Sequence, residues 1–208
     1  MKLISRPFRN LASQWESSGL GYEVRRTAGA FAILMMIAFL LCQLLPDIQN
    51  RIVAFIEAIF QSADIMTETG EISAFALFTN NLQACLVSVF YGYIPFAYFT
   101  ALSLGTNAMI LGVMASYYVS NGYSMALYLA SILPHGIFEL PALVLGIACG
   151  LLLCRNVTER LMGKPDAQHF FPCASLITQT FLLLIIPLLA FAALTEAHLT
   201  PWVITLFS

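Results

Sequence analysis

The stretch Tyr123–Cys154 reads YSMALYLASILPHGIFELPALVLGIACGLLLC. These 32 residues carry one carboxylate, Glu139, and one histidine, His135, with no Lys, Arg or Asp. A helix at a protein–water surface keeps a polar face; this one has none. Continued as one helix it is ~48 Å long, against a hydrocarbon core of ~30 Å. Pro134 removes a backbone donor inside it, so the expectation is a proline-broken span. Tyr123–Leu133 then forms a tilted outer segment and Pro134–Cys154 the crossing, or two half-spans form, one of them re-entrant.

The rest of the chain has the same character. Over 208 residues, 60% are hydrophobic and 10% charged, with a mean hydropathy of +0.84. A soluble domain carries about 25% charged residues. Disorder, a coiled coil and a secreted disulfide scaffold are excluded, and a net charge of −2 offers no footprint for nucleic acid. The expected fold class is all-α, a polytopic helical membrane protein of about five transmembrane helices. The spans are placed at 27–45, 74–94, 96–119, 123–154 (broken near 134) and 171–194. The domain organisation is a cytoplasmic N-terminal segment, 1–26, followed by a single transmembrane domain, 27–208. Because 26 mostly polar residues precede the first apolar run, no cleavable signal peptide is expected. Cys42, Cys85, Cys149, Cys154 and Cys173 lie in apolar runs or at their edges and read as small buried hydrophobes.

Lys and Arg orient the chain. With the N-terminus inside and five crossings, Lys2, Arg6, Arg9, Arg25, Arg26, Arg155, Arg160 and Lys164 fall on the cytoplasmic side, leaving Arg51 outside. The C-terminus is then outside, and Asp47, Glu57, Asp64, Glu68, Glu71 and Glu196 collect on that face. The localisation this implies is a cell membrane, multi-pass. Residues 47–66 read as an outer amphipathic helix, with Ile48, Ile52, Phe55, Ile56, Ile59, Ala63 and Met66 on one side and Asp47 as its N-cap. It either lies flat on the membrane or docks a partner. Phe8, Leu11 and Trp15, with Arg6 and Arg9, suggest a short inner-surface helix.

Glu139 is the acidic residue set deep in an apolar run, and such a group normally faces protein or water. At 100° per residue, His135 and Glu139 share a helix face with Ala142, Gly146 and Gly150. Gly146 and Gly150 form a GxxxG, the close-packing signature of membrane helices. The second span offers Asn81, Cys85, Ser88 and Gly92 on one face with Asn80 beside it; the third offers Asn107. Depth along the spans places Asn80, Asn81, Asn107, His135 and Glu139 together as one buried polar cluster, with Pro134, Gly136 and Pro141 shaping the helix break. Four uses fit such a cluster: a structural latch around Glu139, a metal site, a water-activating glutamate, or a path for substrate or protons. Two ligands are too few for a metal, and no nucleophile–base pair accompanies Glu139. No cofactor is expected.

Phe78-Thr79-Asn80-Asn81 opening a span, Asn107 in the next, and Pro134-His135-Gly136 followed by Glu139-Leu140-Pro141 resemble the stage II sporulation protein M family over about residues 74–154. The resemblance implies a membrane protein of about five spans. It implies a scaffold that recruits a peptidoglycan-degrading pair during engulfment of the forespore. The alternative it implies is an ABC-2-like permease, or a maturation and export subunit as in circular bacteriocin clusters, working with a separate ATP-binding protein. No nucleotide-binding GxxxxGKS/T loop is present in the chain. The expectation is a non-enzymatic integral membrane protein whose partners are the lipid membrane, other membrane or envelope proteins, and a second copy as a homodimer.

Overall fold

The computed structural model describes residues 2–62, 73–164 and 170–205. Helix α1 (Lys2–Ser18) precedes α2 (Leu20–Leu44) and α3 (Pro46–Ser62); α4 (Ala74–Tyr91), α5 (Thr100–Ser120) and α6 (Met125–Leu161) follow. The last span is continuous from Phe170 to His198, made of α7 (Phe170–Thr180), a π-helical turn (Phe181–Ile185) and α8 (Ile186–His198). A short α9 (Thr200–Ile204) ends the description. The described residues contain no strand. Five helices, α2, α4, α5, α6 and the α7–α8 span, are long and apolar enough to cross a membrane.

The largest correction concerns α6. The expected break at Pro134 is absent: 37 residues run as one helix through Pro134 and Pro141. Each proline deletes one backbone donor, but the flanking Leu, Ile and Ala residues continue the ladder, and a membrane-buried helix cannot trade backbone bonds for water. At ~55 Å, α6 outlasts the ~30 Å hydrocarbon layer and extends beyond it. Pro187 has a larger local effect. Its ring crowds the preceding turn, and the ladder widens there, with the Ile186 N–H donating to the Phe181 carbonyl five residues back.

Helix α6 is the most buried of the five spans and forms the axis of the bundle. Leu143, Ile147, Leu152 and Leu153 of α6 pack with Phe31 of α2, Cys85 of α4, Leu104 of α5 and Leu189 of α8. In lipid, burying a leucine gains little by transfer alone, so this core is held by close packing and interhelical polar contacts. Small residues permit the approach. A Cβ on Gly112 of α5 would strike the Met35 carbonyl of α2. Along α4 and α6, which run parallel, Cys85 faces Gly146, Ser88 faces Gly150, and Gly92 meets Gly150 again.

Polar ties fix the two ends. At one end Arg155 of α6 pairs with the buried Glu23 of α2 at 2.5 Å and donates to the Ser18 carbonyl at 3.3 Å. The α4–α5 turn joins it there, with the Phe96 N–H donating to Thr158 Oγ1 at 3.0 Å. Phe96 and Tyr98 both hold positive φ in that turn (65° and 48°), a conformation that costs of order 1–3 kcal/mol and is sustained by such contacts. At the other end Gln43 donates to Ser116 Oγ at 3.0 Å, and Gln49 of α3 does so at 3.2 Å.

The surface helices pack more closely than expected. Helix α3 buries Gln49, Val53 and Ile56 against Cys42 and Val113, while Ile48 and Phe55 stay exposed. Gln49 turns inward because Ser116 awaits its amide. Ala63 and Met66 lie outside the described residues. Helix α1 is no mere surface anchor. Leu11 is buried, and the Trp15 indole donates to Thr180 of α7 at 3.3 Å.

Candidate functional site

His135, one turn before Glu139 on α6, stands between two carboxylates. Its Nδ1 faces Glu196 Oε2 of α8 in close contact, and its Nε2 lies 4.0 Å from Glu139 Oε2. The Glu196 contact is a close approach in which neither atom has an aligned hydrogen bond. Asn81 of α4 lies beside the Glu139 carboxylate. The three ionisable side chains are 18–30% exposed. Phe138 and Phe191, with ring centroids 6.0 Å apart, clamp α6 and α8 beside them. Three spans therefore meet at one polar knot.

Its members arrive by simple geometry. Helical spacing stacks His135 over Glu139. Antiparallel packing of α8 on α6 brings Glu196 level with His135, as Phe191 is with Phe138. Gly136 is buried, and a Cβ on it would lie 3.2 Å from Ile132. Pro134 and Pro141 flank the knot, seven residues apart, so their two missing donors fall on nearly one side of α6.

The five polar residues expected together divide into two groups. Asn81, His135 and Glu139 join. Asn80 and Asn107 line a separate hollow of about 380 Å³ between α4 and α5, with Gln83, Ser103 and Thr106. Asn107 also donates to its own Ser103 carbonyl at 2.8 Å, and Asn80 is exposed. Glu196 was not foreseen as a member. The sequence reading ends the last span at Leu194, but the helix runs to His198 and carries Glu196 into the bundle. The signal was available, since no Gly or Pro stands between Leu194 and His198 to stop a helix.

The chemistry open to the knot is narrow. A metal bound through one imidazole nitrogen would reach one carboxylate only, because Glu139 and Glu196 address opposite edges of the ring. No metal-holding group of three His, Cys, Asp or Glu occurs among the described residues. Cys85, the nearest thiol on α4, is buried and directed at the Ala142 carbonyl, 3.8 Å away. The arrangement is suited to holding three helices together through close polar contacts.

That role predicts an order of stability. Glu139→Gln keeps the volume and an acceptor for Asn81. Glu139→Leu leaves His135 and Asn81 with less than they need, at about 1–3 kcal/mol per unsatisfied buried group. Thermal melting in detergent should therefore rank wild type, Glu139→Gln, then Glu139→Leu. Equal melting of all three would show that the carboxylate holds nothing.

A family model described as "Stage II sporulation protein M" matches residues 27–201. An uncharacterized protein of Methanocaldococcus jannaschii is 30% identical over 133 residues, covering 62% of this chain and 72% of that protein. No solved structure matches the chain.

Proposed function

The chain belongs to the stage II sporulation protein M family, and from that premise we propose that it is a non-enzymatic scaffold of the cell membrane, recruiting partners for envelope or peptidoglycan remodelling in sporulation. The observation that carries this reading is α3. Its inward face is already used by Gln49, Val53 and Ile56, yet Ile48 and Phe55 remain 48% and 66% exposed. A helix tied to the bundle that still exposes Ile48 and Phe55 among Asn50, Arg51 and Glu57 offers a fixed platform for another protein. The family is not one of known enzymes. The His135 knot turns its polar groups toward one another, with Glu139 and Glu196 on either side of the imidazole. Affinity purification from native membranes, followed by mass spectrometry, tests the reading. Envelope or peptidoglycan-active proteins lost on Phe55→Asp support it. A co-purified ATP-binding protein with no envelope partner would replace the scaffold with an ABC-2-like permease.

The scaffold reading also needs α3 outside. Arg25, Arg26, Arg155, Arg160 and Lys164 lie at the end of the bundle bearing the α4–α5 turn, while α3 lies at the other. By the positive-inside rule the first end is cytoplasmic. Alkaline phosphatase fused after Phe60 or Ser208 should be active, and inactive after Lys164. Activity at Lys164 would overturn the orientation.

A further inference from the structure

Helices α4 and α5 are the least hydrophobic of the five spans, yet α4 is also the least buried. For a lone bundle in lipid the reverse is expected, since an exposed span must be the most apolar. The mismatch is concentrated in the hollow between them. Asn80 and Gln83 of α4 and Thr106 of α5 are exposed there, with Ser103 and Asn107 beside them. Helix α4 has 18 residues, about 27 Å, slightly less than the ~30 Å hydrocarbon layer it must cross. Gln83 is its tenth residue and therefore sits near the bilayer centre. An amide facing hydrocarbon there has no water to bond, and that is costly.

We infer that this polar hollow is covered by a second copy of the same chain, in a two-fold interface formed by α4 and α5. The chemistry favours a copy over a foreign helix. The strip contains no formal charge that would ask for an opposite charge on a different partner. Each amide is donor and acceptor at once, so the strip is complementary to itself under a two-fold axis. The border of the hollow also supplies what fills it. Leu102, Thr106 and Met109 make an exposed i, i+4, i+7 ridge on α5 that can enter the hollow of the copy while receiving the copy's ridge in return. The inference is independent of the scaffold reading, because it does not depend on which protein α3 recruits.

Cysteine cross-linking in native membranes tests it. The five native cysteines are buried, which keeps the background low. Two differently tagged chains are co-expressed, one with Gln83→Cys and the other with Thr106→Cys, and each substitution is also made alone. Mild oxidation should give a disulfide-linked dimer of twice 22.9 kDa in at least one of these pairings, and none from Leu182→Cys on the exposed side of the last span. Since neither Gln83 nor Asn107 is buried, Gln83→Leu and Asn107→Leu should fold normally and weaken association about three- to tenfold each. Absence of cross-links in every α4–α5 pairing, equal cross-linking through Leu182→Cys, or a foreign protein captured at Gln83→Cys would overturn the inference.

Discussion

Gly150→Ala is expected to cost at least about 3 kcal/mol, the upper range for overpacking a core, although it adds a single methyl group. A Cβ at Gly150 would run into the backbone carbonyl of Ser88 and approach Thr100 Cγ2 to 2.8 Å. Neither obstacle can move freely. The carbonyl belongs to α4, and Thr100 Oγ1 donates to it at 2.9 Å, so three helices would have to part together. The same substitution at Gly146 meets Cys85 atoms at 3.1–3.3 Å, a contact relieved by a few tenths of an ångström, and should be far milder. Gly105 has nothing within 4 Å, so Gly105→Ala should be neutral or gain up to about 1 kcal/mol of helix propensity. Thermal melting of the three variants in detergent checks the order. A Gly150→Ala protein melting like wild type would mean that α4 and α6 do not meet at Ser88.

Arg155→Ala is the second large effect. Glu23 is 4% exposed and is served by Arg155 at 2.5 Å, with Arg26 a distant second at 3.8 Å. Truncating the arginine strands a buried carboxylate, which typically costs about 3–5 kcal/mol. It also removes the bond to the Ser18 carbonyl at the α1–α2 corner, where Gly19 turns with φ 78°. The double variant Glu23→Gln, Arg155→Ala should recover part of the loss, because the charge needing a partner is gone. Melting and protease sensitivity of the α1–α2 corner report both. No recovery in the double variant would mean that the arginine acts by packing alone.

Much of this was legible in the sequence, for identifiable reasons. Apolar runs marked the five long helices, because hydrocarbon thickness sets their minimum length, but α2 begins seven residues before Thr27 and α6 runs seven residues past Cys154. The wedge of Glu139, Ala142, Gly146 and Gly150 was legible because helical periodicity alone defines a face. What stayed hidden depends on which helices become neighbours. Glu23 and Arg155 are 132 residues apart, and nothing local marks either as paired. Gln49 looks like a solvent-side residue of α3 until α5 presents Ser116. Asn80 and Asn81 are adjacent in sequence, but the ~100° between them sends one to Glu139 and the other to the α4–α5 hollow. Pro134 misled because a proline rule drawn from helix interiors in water overstates breakage where the surrounding ladder has no alternative partner.

The His135 knot is the test of whether the bundle is a scaffold or a machine. If Glu139 holds helices together, its proton is dispensable; if it moves protons or activates a substrate, the proton is everything. The decisive measurement is partner recruitment and cellular function for Glu139→Gln at wild-type membrane abundance. Retention of both is the predicted result. A folded Glu139→Gln protein that still binds its partners yet supports no activity would contradict the scaffold account.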